Sequence, residues 1–125
     1  IIYDGFAAKN TGVPGDIKGY SKERVIHSPG EGNINNISKI SDYVEKNQII
    51  ATVGGENVYA SLSGILRGII YDKTYVKKGL KIADIDPRKE ELQNCYKISD
   101  KARCIAGGTL EALLNMCFTK NIKVL

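Results

Sequence analysis

The sequence has no tryptophan, two phenylalanines, one histidine, one methionine and three prolines in 125 residues. Seven tyrosines are its main aromatic stock, and they do not interleave with a dense basic stripe. A nucleic-acid partner is therefore not expected. No run approaches the roughly 18 consecutive apolar residues of a membrane span, which argues against a membrane partner. No charged-then-apolar leader is seen, so no export signal is read, and the cysteine usage makes a reducing cytoplasm the default reading. Cysteine is sparse. Cys95, Cys104 and Cys117 form no C-x-x-C pair, and an odd number cannot close into a disulfide framework. With His27 far away, no zinc ligand set is visible, and no metal site is expected. Catalytic triads and phosphate-cradling P-loops are also lacking, so an enzyme is not expected from this stretch.

What is present is ordinary for a globular chain: 42% hydrophobic and 26% charged residues, net charge +4. The charge is uneven. Residues 1–58 carry six basic and seven acidic side chains, whereas residues 59–125 carry twelve and seven. That bias attracts anions weakly.

Residues 1–22 read as a linker, dominated by turn residues such as Asn10-Thr11-Gly12-Val13-Pro14-Gly15. Such an opening without an initiator methionine suggests a fragment attached to an upstream domain. Residues 23–87 carry a gapless repeat at an offset of 32. Gly32, Ile37, Tyr43, Val44, Lys46, Ile50 and Ala51 recur as Gly64, Ile69, Tyr75, Val76, Lys78, Ile82 and Ala83. Each copy opens with a glycine that permits a tight turn, continues as a short β-branched strand, turns, and ends in a second apolar run. Two copies are too few for a solenoid but can close on each other about a pseudo-two-fold axis. Gly54-Gly55 between them signals a hairpin. The fold expected is mainly β.

Pro87 ends the β domain, and residues 88–125 form a C-terminal helical extension. Lys89 to Leu92 suggest a single helical turn. Ser99 is a natural N-cap and Asp100 suits the first turn. Ala102, Ile105, Ala106, Thr109, Leu110, Leu113, Leu114 and Cys117 follow at spacings of three and four, predicting about five turns of helix. Its Ile105–Leu113 face is expected to pack on the β domain. Gly107-Gly108 costs about 1 kcal/mol per glycine relative to alanine, which suggests a close backbone or a ligand at that point. The tail from Thr119 is read as loose or as a short strand.

The repeated Val-x-Lys-Gly element, Val44-Glu45-Lys46-Asn47 and Val76-Lys77-Lys78-Gly79, resembles the lipoyl/biotinyl barrel-sandwich hybrid fold. That resemblance implies a prosthetic group on a lysine at the linking hairpin. Gly54, Gly55, Glu56 and Asn57 occupy the tip and offer no lysine, so neither lipoate nor biotin is expected. A lipoyl/biotinyl-type carrier domain is thus disfavoured.

Longer motifs are similar to a narrower family. Asn10 to Gly15, Glu23-Arg24-Val25-Ile26, Ser63 to Gly68, Lys78 to Arg88, Ile98 to Arg103 and Ala106 to Ala112 follow one another as in the C-terminal half of the selenium-dependent molybdenum hydroxylase accessory proteins. The resemblance covers residues 1 to about 117. Asn47 replaces the usual glycine of the first repeat, and Cys104 stands where a small residue such as alanine is expected. The resemblance implies a non-catalytic accessory module, with an upstream α/β domain, that serves maturation of a molybdenum hydroxylase. It would bind that partner enzyme or an anionic cofactor. The molybdenum cofactor is implied by the resemblance alone. Part of a molybdenum-cofactor-modifying transferase is the enzymatic alternative.

Within the matched motifs, Arg67, Arg88, Ser99, Lys101 and Arg103 form a candidate anion site, since guanidinium forks and free helix-start N–H groups suit phosphate or pyrophosphate. Alternatively, Asp86, Arg88 and Asp100 pair with neighbours and hold the helix onto the β domain. Cys104, near a helix start and cations, could be a reactive thiol for sulfur or selenium transfer, or an inert small hydrophobe. His27 reads as packing or surface.

Overall fold

The computed structural model describes Phe6, Lys9 and residues 14–123. Half of the 1–22 linker, including Asn10–Val13 of the first family motif, and the end of the tail lie outside the described residues. The chain divides into a β unit, Thr11–Cys95, and a second unit holding the C-terminal helix. Each is described by itself.

Eight strands make up the β unit. They are β1 (Val25–His27), β2 (Gly32–Asn36), β3 (Tyr43–Val44), β4 (Ile49–Val53), β5 (Glu56–Tyr59), β6 (Gly64–Ile69), β7 (Tyr75–Val76) and β8 (Lys81–Asp86). They form two four-stranded antiparallel sheets, ordered β1-β8-β6-β3 and β5-β4-β2-β7. Adding 32 to a strand of the first copy gives its equivalent in the second, and this operation converts one sheet order into the other. Register follows it as well. Gly32↔Val76 and Asn33↔Tyr75 in one sheet correspond to Val44↔Gly64 and Tyr43↔Ile65 in the other. Ile49↔Tyr59 and Ala51↔Val58 correspond to His27↔Lys81 and Ile26↔Ala83.

The repeated residues divide by burial in a way that explains their recurrence. Val44, Val76, Ile50, Ile82, Ala51 and Ala83 are buried. They belong to a single cluster with Ile26, Ile34, Val53, Val58, Leu66 and Ile85, drawn from both sheets. Burying each of the larger members contributes about 1.5–3 kcal/mol. The repeated Tyr43 and Tyr75 are exposed and lie on the rim. At Gly64 a Cβ would come within 2.3 Å of the Asp86 carbonyl oxygen, and at Gly32 within 2.9 Å of the Gly54 Cα. Each copy thus opens with glycine because the end of an apolar strand crosses directly over it.

Asn47 has φ +69° and its counterpart Gly79 φ +79°. Both occupy the left-handed region, which asparagine tolerates better than other side chains, so Asn47 serves where glycine is usual. Gly54 and Gly55, at +56° and +91°, form the two-residue primed turn joining β4 to β5.

After Pro87 a 3₁₀ segment, Lys89–Asn94, remains part of the β unit. In the second unit, α1 spans Asp100–Thr119. The Ser99 hydroxyl accepts the Ala102 N–H at 3.2 Å, the cap its position in sequence indicates. No residue of α1 is buried, Ile105, Leu110 and Leu113 included. Nothing lies within 4 Å of a Cβ built on Gly107 or Gly108. No strand follows α1 in the described part of the tail. Among the described residues, no helix is long and apolar enough to cross a membrane.

Candidate functional site

β6 and β8 are neighbours in one sheet, with Leu66 opposite Ile85 and Ile65 opposite Asp86. This register brings Arg67, at the irregularity of β6 between Leu66 and Gly68, towards the 3₁₀ segment that follows β8. Arg67 Nη1 reaches Glu91 Oε2 at 2.8 Å and the Glu91 carbonyl at 3.4 Å. Arg88 folds back on Asp86 as a two-toothed fork, Nε to Oδ1 at 3.0 Å and Nη2 to Oδ2 at 2.8 Å. Its backbone N–H donates to Oδ1 as well, at 3.0 Å. The remaining Nη1 lies 3.3 Å from Glu91 Oε1. Glu91 therefore bridges two guanidinium groups, and the four charges balance.

Burial pushes the Asp86 carboxyl up, but the Arg88 fork and N–H, with the charges of Arg88 and Arg24, hold it below the usual carboxylate range. Beside it, the buried Arg24 donates from Nε to the Ile85 carbonyl at 3.2 Å and pairs through Nη2 with Asp84 at 3.3 Å. Lys89 completes the junction by placing its ammonium 4.5 Å from the centre of the Tyr43 ring. These contacts fasten the 3₁₀ segment to the sheet at β3, β6 and β8.

Of the residues nominated from sequence, the fold thus joins Arg67 and Arg88 through a shared carboxylate. Ser99, Lys101 and Arg103 lie at the start of α1, in the other unit. There Arg103 pairs with Asp100 at 3.5 Å, both highly exposed, and Lys101 is exposed. An anion binding at Arg67 or Arg88 would compete with Glu91 and Asp86. The sequence reading missed Glu91 and Arg24. Glu91 sits 24 residues from Arg67 with no spacing pattern between them, and Arg24 reads as one residue of a strand motif. Cys104 is exposed, Cys95 and Cys117 are half-buried, and all three are unpaired thiols. His27 is exposed on the edge strand β1. Among the described residues, no three His, Cys, Asp or Glu side chains are grouped so as to hold a metal.

No family model matches the chain. It is 45% identical over 114 residues to YqeB of Escherichia coli (strain K12), an uncharacterized protein. The similarity takes in 91% of this chain but 21% of that protein, so the chain spans about a fifth of the length of the relative it matches.

Proposed function

We propose that the chain is a non-catalytic module of a selenium-dependent molybdenum hydroxylase accessory protein, and that its β unit is a barrel-sandwich hybrid. In this reading it docks the hydroxylase, or an anionic cofactor, during maturation. The observation that carries it is the interlocked pair of repeats with a bare Gly54-Gly55 tip. Such a pair fits the proposed carrier-type framework, and its tip lacks the lysine on which a swinging arm is built. The ordered motifs from Ser63 to Ala112 support the narrower family. The match to a stretch of a much longer relative supports its being one module among several.

The ion-paired state of Arg67 and Arg88 favours protein docking over anion capture, because both guanidinium groups already have carboxylate partners. The test is a pull-down of the full-length protein from cells making the hydroxylase, with elemental analysis for molybdenum and selenium. Enrichment of the hydroxylase with both elements is expected. Recovery of the bait without enzyme or either element overturns the reading. The carrier alternative predicts an added mass on the intact protein after co-expression with a lipoyl or biotinyl ligase, and an unchanged mass is expected.

A further inference from the structure

The repeat makes the two ends of the β unit comparable, and they differ. At one end the Gly54-Gly55 hairpin folds over the first copy. A Cβ on Gly30 there would lie 2.7 Å from the Glu56 carboxylate, and Gly54 crosses Gly32. At the equivalent end of the second copy there is no hairpin. The chain enters through residues 18–23 and leaves at Pro87. Between these two stretches opens a cleft of about 590 Å³, lined by Lys18, Tyr20, Glu23, Lys46, Ser61–Ser63 and Pro87. That volume is in the range of small-molecule sites.

The cleft wall is tied down. Ile17 and Tyr20 exchange backbone hydrogen bonds at 2.9 and 3.0 Å across a Lys18-Gly19 turn, with φ of +52° and +80°. The Ser61 hydroxyl donates to the Glu23 carbonyl at 2.5 Å. Ser63 accepts the Lys46 N–H at 2.9 Å and donates to Glu45 at 2.9 Å. Lys18 is held by Glu90 at 3.2 Å. Among the described residues, no carboxylate pairs with the Lys46 ammonium, which leaves its three donors to solvent or a ligand. Glu23, whose carboxylate takes the Ser21 N–H at 3.1 Å, offers an acceptor in the same cleft. The Tyr20 ring and Pro87 supply apolar surface.

We propose that this cleft binds a small organic anion bearing hydroxyl groups. The anionic head would lie at Lys46, with Lys18 nearby, and a hydroxyl would donate to Glu23. The proposal stands apart from the maturation role and survives its failure. Its built-in control is Lys78, the repeat partner of Lys46, which lies on the matching turn and does not line the cleft. Lys46→Glu and Lys78→Glu change net charge equally, so general attraction of anions weakens equally in both.

Ribose 5-phosphate and gluconate would each be titrated into the isotopically labelled chain and followed by amide NMR. Saturable shifts confined to residues 17–23, 46 and 61–63 are expected with at least one probe, and the one that binds identifies the head group as phosphate or carboxylate. Lys46→Glu is expected to weaken binding by about tenfold or more, and Lys78→Glu by less than about twofold. Failure of both probes, or equal loss in the two variants, overturns the proposal. Dispersed amide spectra verify folding, and Lys46→Met substitutes if the glutamate variant does not fold.

Discussion

Asp86 is the residue on which the junction after β8 turns. Its side chain is 3% exposed, yet it stays charged because Arg88 gives it three hydrogen bonds. A carboxyl held below its ordinary value of 3.8 adds stability that is complete above that value. The contribution disappears as pH falls through the lower folded value. Asp86→Asn should therefore destabilise the chain at neutral pH by about 2 kcal/mol. This is less than the roughly 3–5 kcal/mol of a fully buried broken pair, because Arg88 keeps Glu91 and is partly exposed. The gap between the urea midpoints of the two proteins, recorded from neutral pH into acid, should narrow once pH falls below about 3.8. Parallel curves across that span would show that the charge on Asp86 contributes nothing.

At the scale of elements, α1 differs from every strand in holding no buried residue. Its N-terminus is capped, yet none of its residues is buried, so its persistence depends on intrinsic helix propensity more than that of a core helix would. Gly107 and Gly108 weaken that propensity, and the space around both is open. Gly107→Ala and Gly108→Ala should each stabilise the helix by about 1 kcal/mol. Slower amide hydrogen exchange from Ile105 to Leu113 is the readout. Faster exchange in either variant would mean that the helix needs those glycines.

The extent of α1 was legible because Ser99 and the three-and-four spacing are local signals. Periodicity gives an apolar face without saying what covers it. The 3₁₀ segment is the converse case. Lys89 to Leu92 gave one weak turn, and what fixes it in place is a set of long-range contacts to Arg67 and Tyr43.

For the whole β unit, the seven recurring residues located equivalent positions correctly but carried no information about partners. Equivalence and pairing are different relations. β1–β4 belong to the first copy and β5–β8 to the second, yet only β2–β4 and β6–β8 pair within a copy. The pairings β1–β8, β3–β6, β2–β7 and β4–β5 all cross between copies. The buried cluster is likewise shared: Val44 and Ile50 meet a core whose other half is Val76 and Ile82. A single copy would expose most of its apolar surface and leave two of its strands without partners, so it cannot offset its own chain entropy. Cleavage at Gly54-Gly55 should consequently give fragments 1–54 and 55–125 that each lack a cooperative β-sheet melting transition. Mixed in equal amounts, they should recover the sheet signal and one transition that rises with concentration, because association and folding are then the same event. A fragment that melts cooperatively by itself would mean that a copy closes its own core, contrary to the crossed pairings.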